Sequence, residues 1–164
     1  MAHELATQLV EALAARGLTI AVAESLTGGL LVAELVAVPG ASAVVRGGVV
    51  AYDTALKASV LGVDDALLKS NGPVDPTVAR QMARGVRRLL SVDGMPAAIG
   101  VSTTGVAGPD AQGGKPVGTV FVGTSSDAGE DSVELTLSGD REGIRNAVVS
   151  ESLSQLIKLL ETRH

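Results

Sequence analysis

Cysteine and tryptophan are absent from this 164-residue chain, and phenylalanine and tyrosine occur once each. Without a thiol there can be no disulfide framework, thiolate zinc site or cysteine nucleophile. Histidine is nearly missing too. Its two copies, His3 and His164, sit at the termini, which fray unless something ties them down, so a Ser-His-Asp triad is not expected. No apolar run approaches the roughly 20 residues of a membrane helix. The N-terminus lacks the positive flank and apolar stretch of a secretory signal, so a cytoplasmic protein that engages no membrane is expected. Lys and Arg number 13 against 18 Asp and Glu, a formal charge of −5. With so few aromatic rings this leaves neither the basic footprint nor the stacking platforms of a nucleic-acid binder.

What is present is a 46% hydrophobic composition, enough to bury a core, with no repeat or linker that would divide residues 1–164. One domain is expected. The shortage of imidazole and thiolate also narrows the chemistry. A hydrolase built from these residues must activate a Ser or Thr hydroxyl with Lys or Tyr, or use carboxylates with a hard cation.

Apolar spacing over 4–16 predicts an amphipathic helix that stops at Gly17, followed by a strand over 18–23, a glycine turn, and a second helix through Leu30 and Leu35. Pro39-Gly40 breaks that helix. A strand is expected over 44–52, a short helix over 54–61, and a further turn or two of helix over 64–70. Asp75-Pro76 reads as a cap followed by proline at the first helical position, opening a long helix to Leu90. Strands over 96–103, 117–124 and 132–137 and a final helix over 140–160 complete the pattern. Strands alternating with helices predict a three-layer α/β/α sandwich on a mixed, mostly parallel sheet, the last two strands adding an antiparallel element.

Ligands gather at the carboxyl ends of strands in such sheets. Three segments fall there. Residues 23–29 (AESLTGG) offer Ser25 and backbone donors that suit an oxyanion or phosphate, although Ser25 and Thr27 could equally cap the following helix. Tyr52 and Lys57 follow a strand. A desolvated lysine can serve as a base towards serine, whereas an ordinary lysine is solvated and Tyr52 could be half-buried core. Residues 102–116 form a glycine-dense loop that resembles an anion cradle without the Gly-Lys-Ser/Thr of a Walker A motif, and it could also be a simple lid. Ser42 reads as a turn serine and Asp140 as a helix cap. Arg141 is either solvated or a clamp for phosphate or carboxylate. Arg80, Arg84, Arg87 and Arg88 read as the solvated face of the long helix.

Together, residues 23–29, 38–42 (VPGAS), 47–52 (GGVVAY) with Lys57, 104–109 (TGVAGP), 115–119 (KPVGT) and 139–141 (GDR) resemble the C-terminal domain of the competence/damage-inducible protein CinA, the family of PncC-type nicotinamide-mononucleotide amidohydrolases, over nearly the whole chain. The resemblance implies hydrolysis of nicotinamide mononucleotide to nicotinate mononucleotide and ammonia without metal or other cofactor. It also implies a three-layer fold on a mixed five-stranded sheet and a homodimer. On the matching positions, Ser25 would be the nucleophile, Lys57 its base, and Tyr52 a support for proton traffic. Ser42 and Thr104 would hold the substrate amide. Arg141 with the glycine loop, Gly105 and Gly108 included, would receive the phosphate or ribose, and Gly28 and Gly29 belong to the substrate-binding turn. The chain departs from the family in Leu26, where cysteine is frequent, in Asp53-Thr54, where Ser-Asn is frequent, and in Asp75, which keeps the cap of the usual serine. A nucleotide-binding or interaction module of the same fold, without turnover, is the alternative.

Overall fold

The computed structural model describes residues 1–162; His164 lies outside them. Helix α1 (Ala2–Arg16) turns Leu9, Val10 and Leu13 inward and closes on Gly17 in the left-handed region. Strand β1 (Ile20–Glu24) is buried along its whole length, as expected of a central strand covered on both faces. Then come α2 (Leu30–Val36), β2 (Val45–Val50), α3 (Thr54–Ser59) and α4 (Asp65–Asn71). Helix α5 (Pro76–Leu89) starts as the sequence predicts, with the Asp75 carboxylate accepting from the Thr77 and Val78 amides. Strands β3 (Ile99–Gly105), β4 (Thr119–Ser126) and β5 (Gly129–Thr136) precede α6 (Arg141–Glu161), which Asp140 caps. Among the described residues no helix is long and apolar enough to cross a membrane.

The sheet order is β2-β1-β3-β4-β5. β1 pairs in parallel with β2 and β3, while β4 runs antiparallel to both β3 and β5, so β4 alone opposes the other strands. This is the expected mixed five-stranded α/β sheet. Strand β5 begins three residues before the expected 132 because Glu130 and Asp131 pair through their backbones opposite Ser125 and Thr124, and no apolar alternation marks that stretch. Strand β3 starts at Ile99 rather than 96, since Met95 instead closes a tight turn back to Val92.

Alternation along β1 sorts the core. Ile20 and Val22 face Leu9, Leu13, Leu31 and Leu153 of α1, α2 and α6, whereas Ala21 and Ala23 face Val78, Met82 and Val86 of α5. Helix α5 sits unusually close to the sheet. Gly100 and Gly123 leave room for its backbone, where an added Cβ would collide with the Ala83 and Ala79 carbonyls, and the Ser102 hydroxyl donates to the Ala79 carbonyl at 2.6 Å. The outer face of α5 corrects the expectation of free arginines. Arg80 donates to Ser132, Arg84 forms an ion pair with Glu130 and Arg87 one with Asp127, so three of the four fasten the helix to β5 and the turn before it. Arg88 remains exposed.

Candidate active site

The parallel strands deliver their carboxyl ends to one edge of the sheet, and the antiparallel hairpin returns the start of α6 to the same edge. The segments following β1, β2 and β3, the Pro73-Val74 approach to α5 and the first residue of α6 line an open cleft.

Ser25 is the first residue beyond β1, held by its amide on the Thr103 carbonyl at 3.0 Å. Its hydroxyl lies 2.9 Å from the Lys57 amine. Lys57 comes from α3, whose start is capped by Asp53 accepting from the Ala55 amide. The amine is aimed by two backbone carbonyls, donating to Ala51 at 2.8 Å and Tyr52 at 3.4 Å. No carboxylate pairs with it among the described residues, and only 1% of the residue is exposed. Burial without a counter-ion disfavours the ammonium form. It lowers the pKa from 10.5 to about 8, against a smaller upward pull from the Asp53 charge. A neutral amine has two N–H donors and one lone pair, and two carbonyls with one hydroxyl satisfy all three. The arrangement can therefore withdraw a proton from Ser25.

Thr104 is buried on the cleft wall and donates its hydroxyl to the Pro73 carbonyl at 2.7 Å, so the lone pairs of its oxygen remain for a substrate N–H. Gly105 and Gly108 lie on the same wall. Arg141 reaches the rim, donating to the Gly108 carbonyl at 2.7 Å and to the Tyr52 hydroxyl at 3.1 Å, with no carboxylate partner among the described residues. Tyr52 is 61% exposed, not core. Its carbonyl faces Lys57 and its hydroxyl is turned to Arg141, so the hydroxyl is not presented to Lys57 as a relay.

Two expectations place residues here that the structure puts elsewhere. Ser42 lies in a single 3-10 turn, Ala41–Ala43, at the start of β2, whereas the cleft lies beyond its end. Six residues of strand separate the two, about 20 Å at 3.3 Å per residue. Gly28 and Gly29 shape the turn after Ser25 without lining the cleft, and both adopt positive φ. Nor is the start of α2 free to bind an anion. The fully buried Glu24 carboxylate already accepts from the Leu31 and Val32 amides at 2.8 and 3.1 Å. Neither Ser25 nor Thr27 caps that helix, as Thr27 exchanges a 2.8 Å hydrogen bond with the Thr103 hydroxyl.

Residues not singled out from the sequence are Glu24, Thr103, Asp110 and Arg145. Among the described residues Asp110 is the one carboxylate lining the cleft. Arg145 lies one turn beyond Arg141 and donates to the Leu26 carbonyl at 2.9 Å and the Thr27 carbonyl at 3.3 Å. The i, i+4 spacing of the two arginines was the available signal.

The CinA C-terminal domain model matches residues 2–160. A CinA-like protein of Frankia casuarinae is 48% identical over 145 residues, 88% of this chain and 32% of that protein, so the chain spans about a third of the length of the curated relatives it matches. Among solved structures, a CinA-superfamily protein of Klebsiella pneumoniae superposes with a TM-score of 0.92 at 30% identity, covering 98% of each chain. A competence/damage-inducible protein of Agrobacterium tumefaciens gives 0.87 at 35% identity, covering 96% of this chain and 94% of that one. With its sheet order, its strand-end cleft and a sequence match that runs from the first helix to the last, the chain belongs to the CinA C-terminal domain family.

Proposed function

We propose that this domain hydrolyses the carboxamide of nicotinamide mononucleotide through a serine-lysine mechanism. The observation that carries the reading is the buried, carboxylate-free Lys57 amine 2.9 Å from the Ser25 hydroxyl. Neutral Lys57 accepts the Ser25 proton as Oγ attacks the carboxamide carbon. The resulting ammonium then protonates the departing amide nitrogen. Ammonia leaves, and an ester joins Ser25 to the nicotinoyl group. Water attacks that ester with Lys57 again accepting a proton, the acid is released, and Ser25 recovers its hydrogen. The Leu26 amide, next to the nucleophile and without a protein acceptor, is the candidate donor to the developing oxyanion. Thr104 accepts from the carboxamide N–H before attack. Arg141 meets the phosphate, and the exposed Tyr52 ring offers a face to the cationic pyridinium.

The reading rests on the protein's own side chains and requires no metal or cofactor. A homodimer, implied by the family resemblance, and a cytoplasmic location belong to the same proposal. Sedimentation of the purified chain checks the dimer. The activity is tested by measuring ammonia release from nicotinamide mononucleotide. Wild-type protein should release it, and Ser25→Ala and Lys57→Gln should lose at least about 10³-fold in turnover. Undiminished release by both variants would remove the dyad from the mechanism. Tight binding of the nucleotide with no ammonia would instead support a binding module without turnover.

A further inference from the structure

Arg145 makes no ion pair among the described residues, although it is half-buried and permanently charged. Its guanidinium is directed at two consecutive backbone carbonyls in the turn that follows the nucleophile, Leu26 through Nε and Thr27 through a terminal nitrogen. A planar fork on adjacent carbonyls fixes the planes of two peptide groups. In a trans peptide the N–H points opposite to the C=O, so pinning the Leu26 carbonyl also fixes the direction of the Thr27 amide. That amide and the Leu26 amide have no acceptor within the described protein, while the flanking Ser25 and Gly28 amides donate to the Thr103 and Ser25 carbonyls. The turn is further confined because a Cβ on Gly28 would come within 3.3 Å of the Arg145 guanidinium.

We infer that Arg145 is a positioning residue. By clamping the Leu26 and Thr27 carbonyls it fixes the Thr27 amide directly and, through the Gly28 amide that donates to the Ser25 carbonyl, the Leu26 amide, so that the unpartnered donors beside Ser25 keep the orientation that receives negative charge from an attacked carbonyl. The inference rests on Ser25 being the nucleophile and is independent of which amide is cleaved. Arg145 touches no reacting atom. Its contribution therefore belongs to the transition state and not to substrate affinity.

The test compares wild type, Arg145→Lys and Arg145→Ala. With nicotinamide mononucleotide, both variants should lose roughly 10- to 100-fold in kcat with KM nearly unchanged, as expected when a catalytic group is held loosely. Lysine keeps the charge and cannot span both carbonyls, so it should rescue little. Added methylguanidine should restore part of the activity of Arg145→Ala. A second readout needs no amide substrate: the rate at which phenylmethylsulfonyl fluoride sulfonylates Ser25, with loss of fluoride and the serine proton, should fall by a similar factor. If the wild type is labelled at Ser25 yet releases no ammonia, the substrate assignment fails and the labelling rates alone judge Arg145. A variant that melts earlier but keeps wild-type kcat and labelling rate overturns the inference, as does a wild-type Ser25 that reacts no faster than a free serine.

Discussion

Helices α3 and α4 each present a lysine near their last turn, twelve positions apart, and the two side chains meet opposite fates. Lys57 is buried, bonded to two carbonyls and a hydroxyl, and its pKa is depressed. Lys69 is exposed and sits 2.7 Å from Asp65 one turn earlier, which raises its pKa by a direct hydrogen bond and by charge. Both helices begin with an aspartate cap of the same geometry. What separates the lysines is the neighbour that receives them. Asp65 stabilises the ammonium of Lys69 in water, whereas the strand ends around Lys57 remove water and supply only neutral acceptors. A lysine becomes a base by losing its hydration without gaining a carboxylate.

The contrast is sharpest in stability. Lys57 titrates lower in the folded chain than the 10.5 of a free lysine, so between about 8 and 10.5 the unfolded chain binds the extra proton and stability at this site rises with pH. The displacement corresponds to about 3 kcal/mol at 1.36 kcal/mol per pKa unit. Urea melts of wild type and Lys57→Met at pH 7 and pH 10 should show the difference between them moving towards wild type by most of that amount. A pH-independent difference would mean that burial does not perturb the amine.

The next effect is on catalysis. The kcat/KM for ammonia release should rise with pH through a limb near 8, as Lys57 becomes neutral. Among the described residues Asp53 is the carboxylate pulling that value upward, so Asp53→Asn, which keeps a capping oxygen on α3, should move the limb to lower pH. A limb unmoved or moved to higher pH would separate Asp53 from the base. The smallest effect belongs to the other helix: Lys69→Met should leave turnover, pH profile and melting temperature unchanged within measurement scatter, because an exposed ion pair contributes little. A shifted profile in that variant would break the comparison.

The elements were legible in the sequence wherever burial was regular. The heptad-like spacing of α1 and the Asp75-Pro76 start of α5 match the structure within two residues. Elimination leads to a Ser or Thr hydroxyl activated by Lys or Tyr, or to carboxylates with a cation, and position after strands brings forward Ser25, Tyr52 and Lys57; the pairing of Ser25 with Lys57 as nucleophile and base is what the family resemblance implies. Ser42 precedes the strand expected over 44–52, the end away from the cleft, and its place in the site is implied by the family resemblance alone. Glu24 falls in the 23–29 turn, whose backbone donors are expected to suit an oxyanion or phosphate. Local sequence does not reveal that its carboxylate folds back onto amides seven and eight residues ahead. The α5 arginines depended on β5 lying beneath them, a pairing that only the sheet order creates.

The two missing methyl groups at Gly100 and Gly123 act at a distance. Because they let the long helix settle onto the strands, the segment leading into it drops as well, far enough for the Pro73 carbonyl to meet the Thr104 hydroxyl. The wall that Pro73 and Thr104 give the cleft thus leans on atoms that are not there, on residues that do not line it.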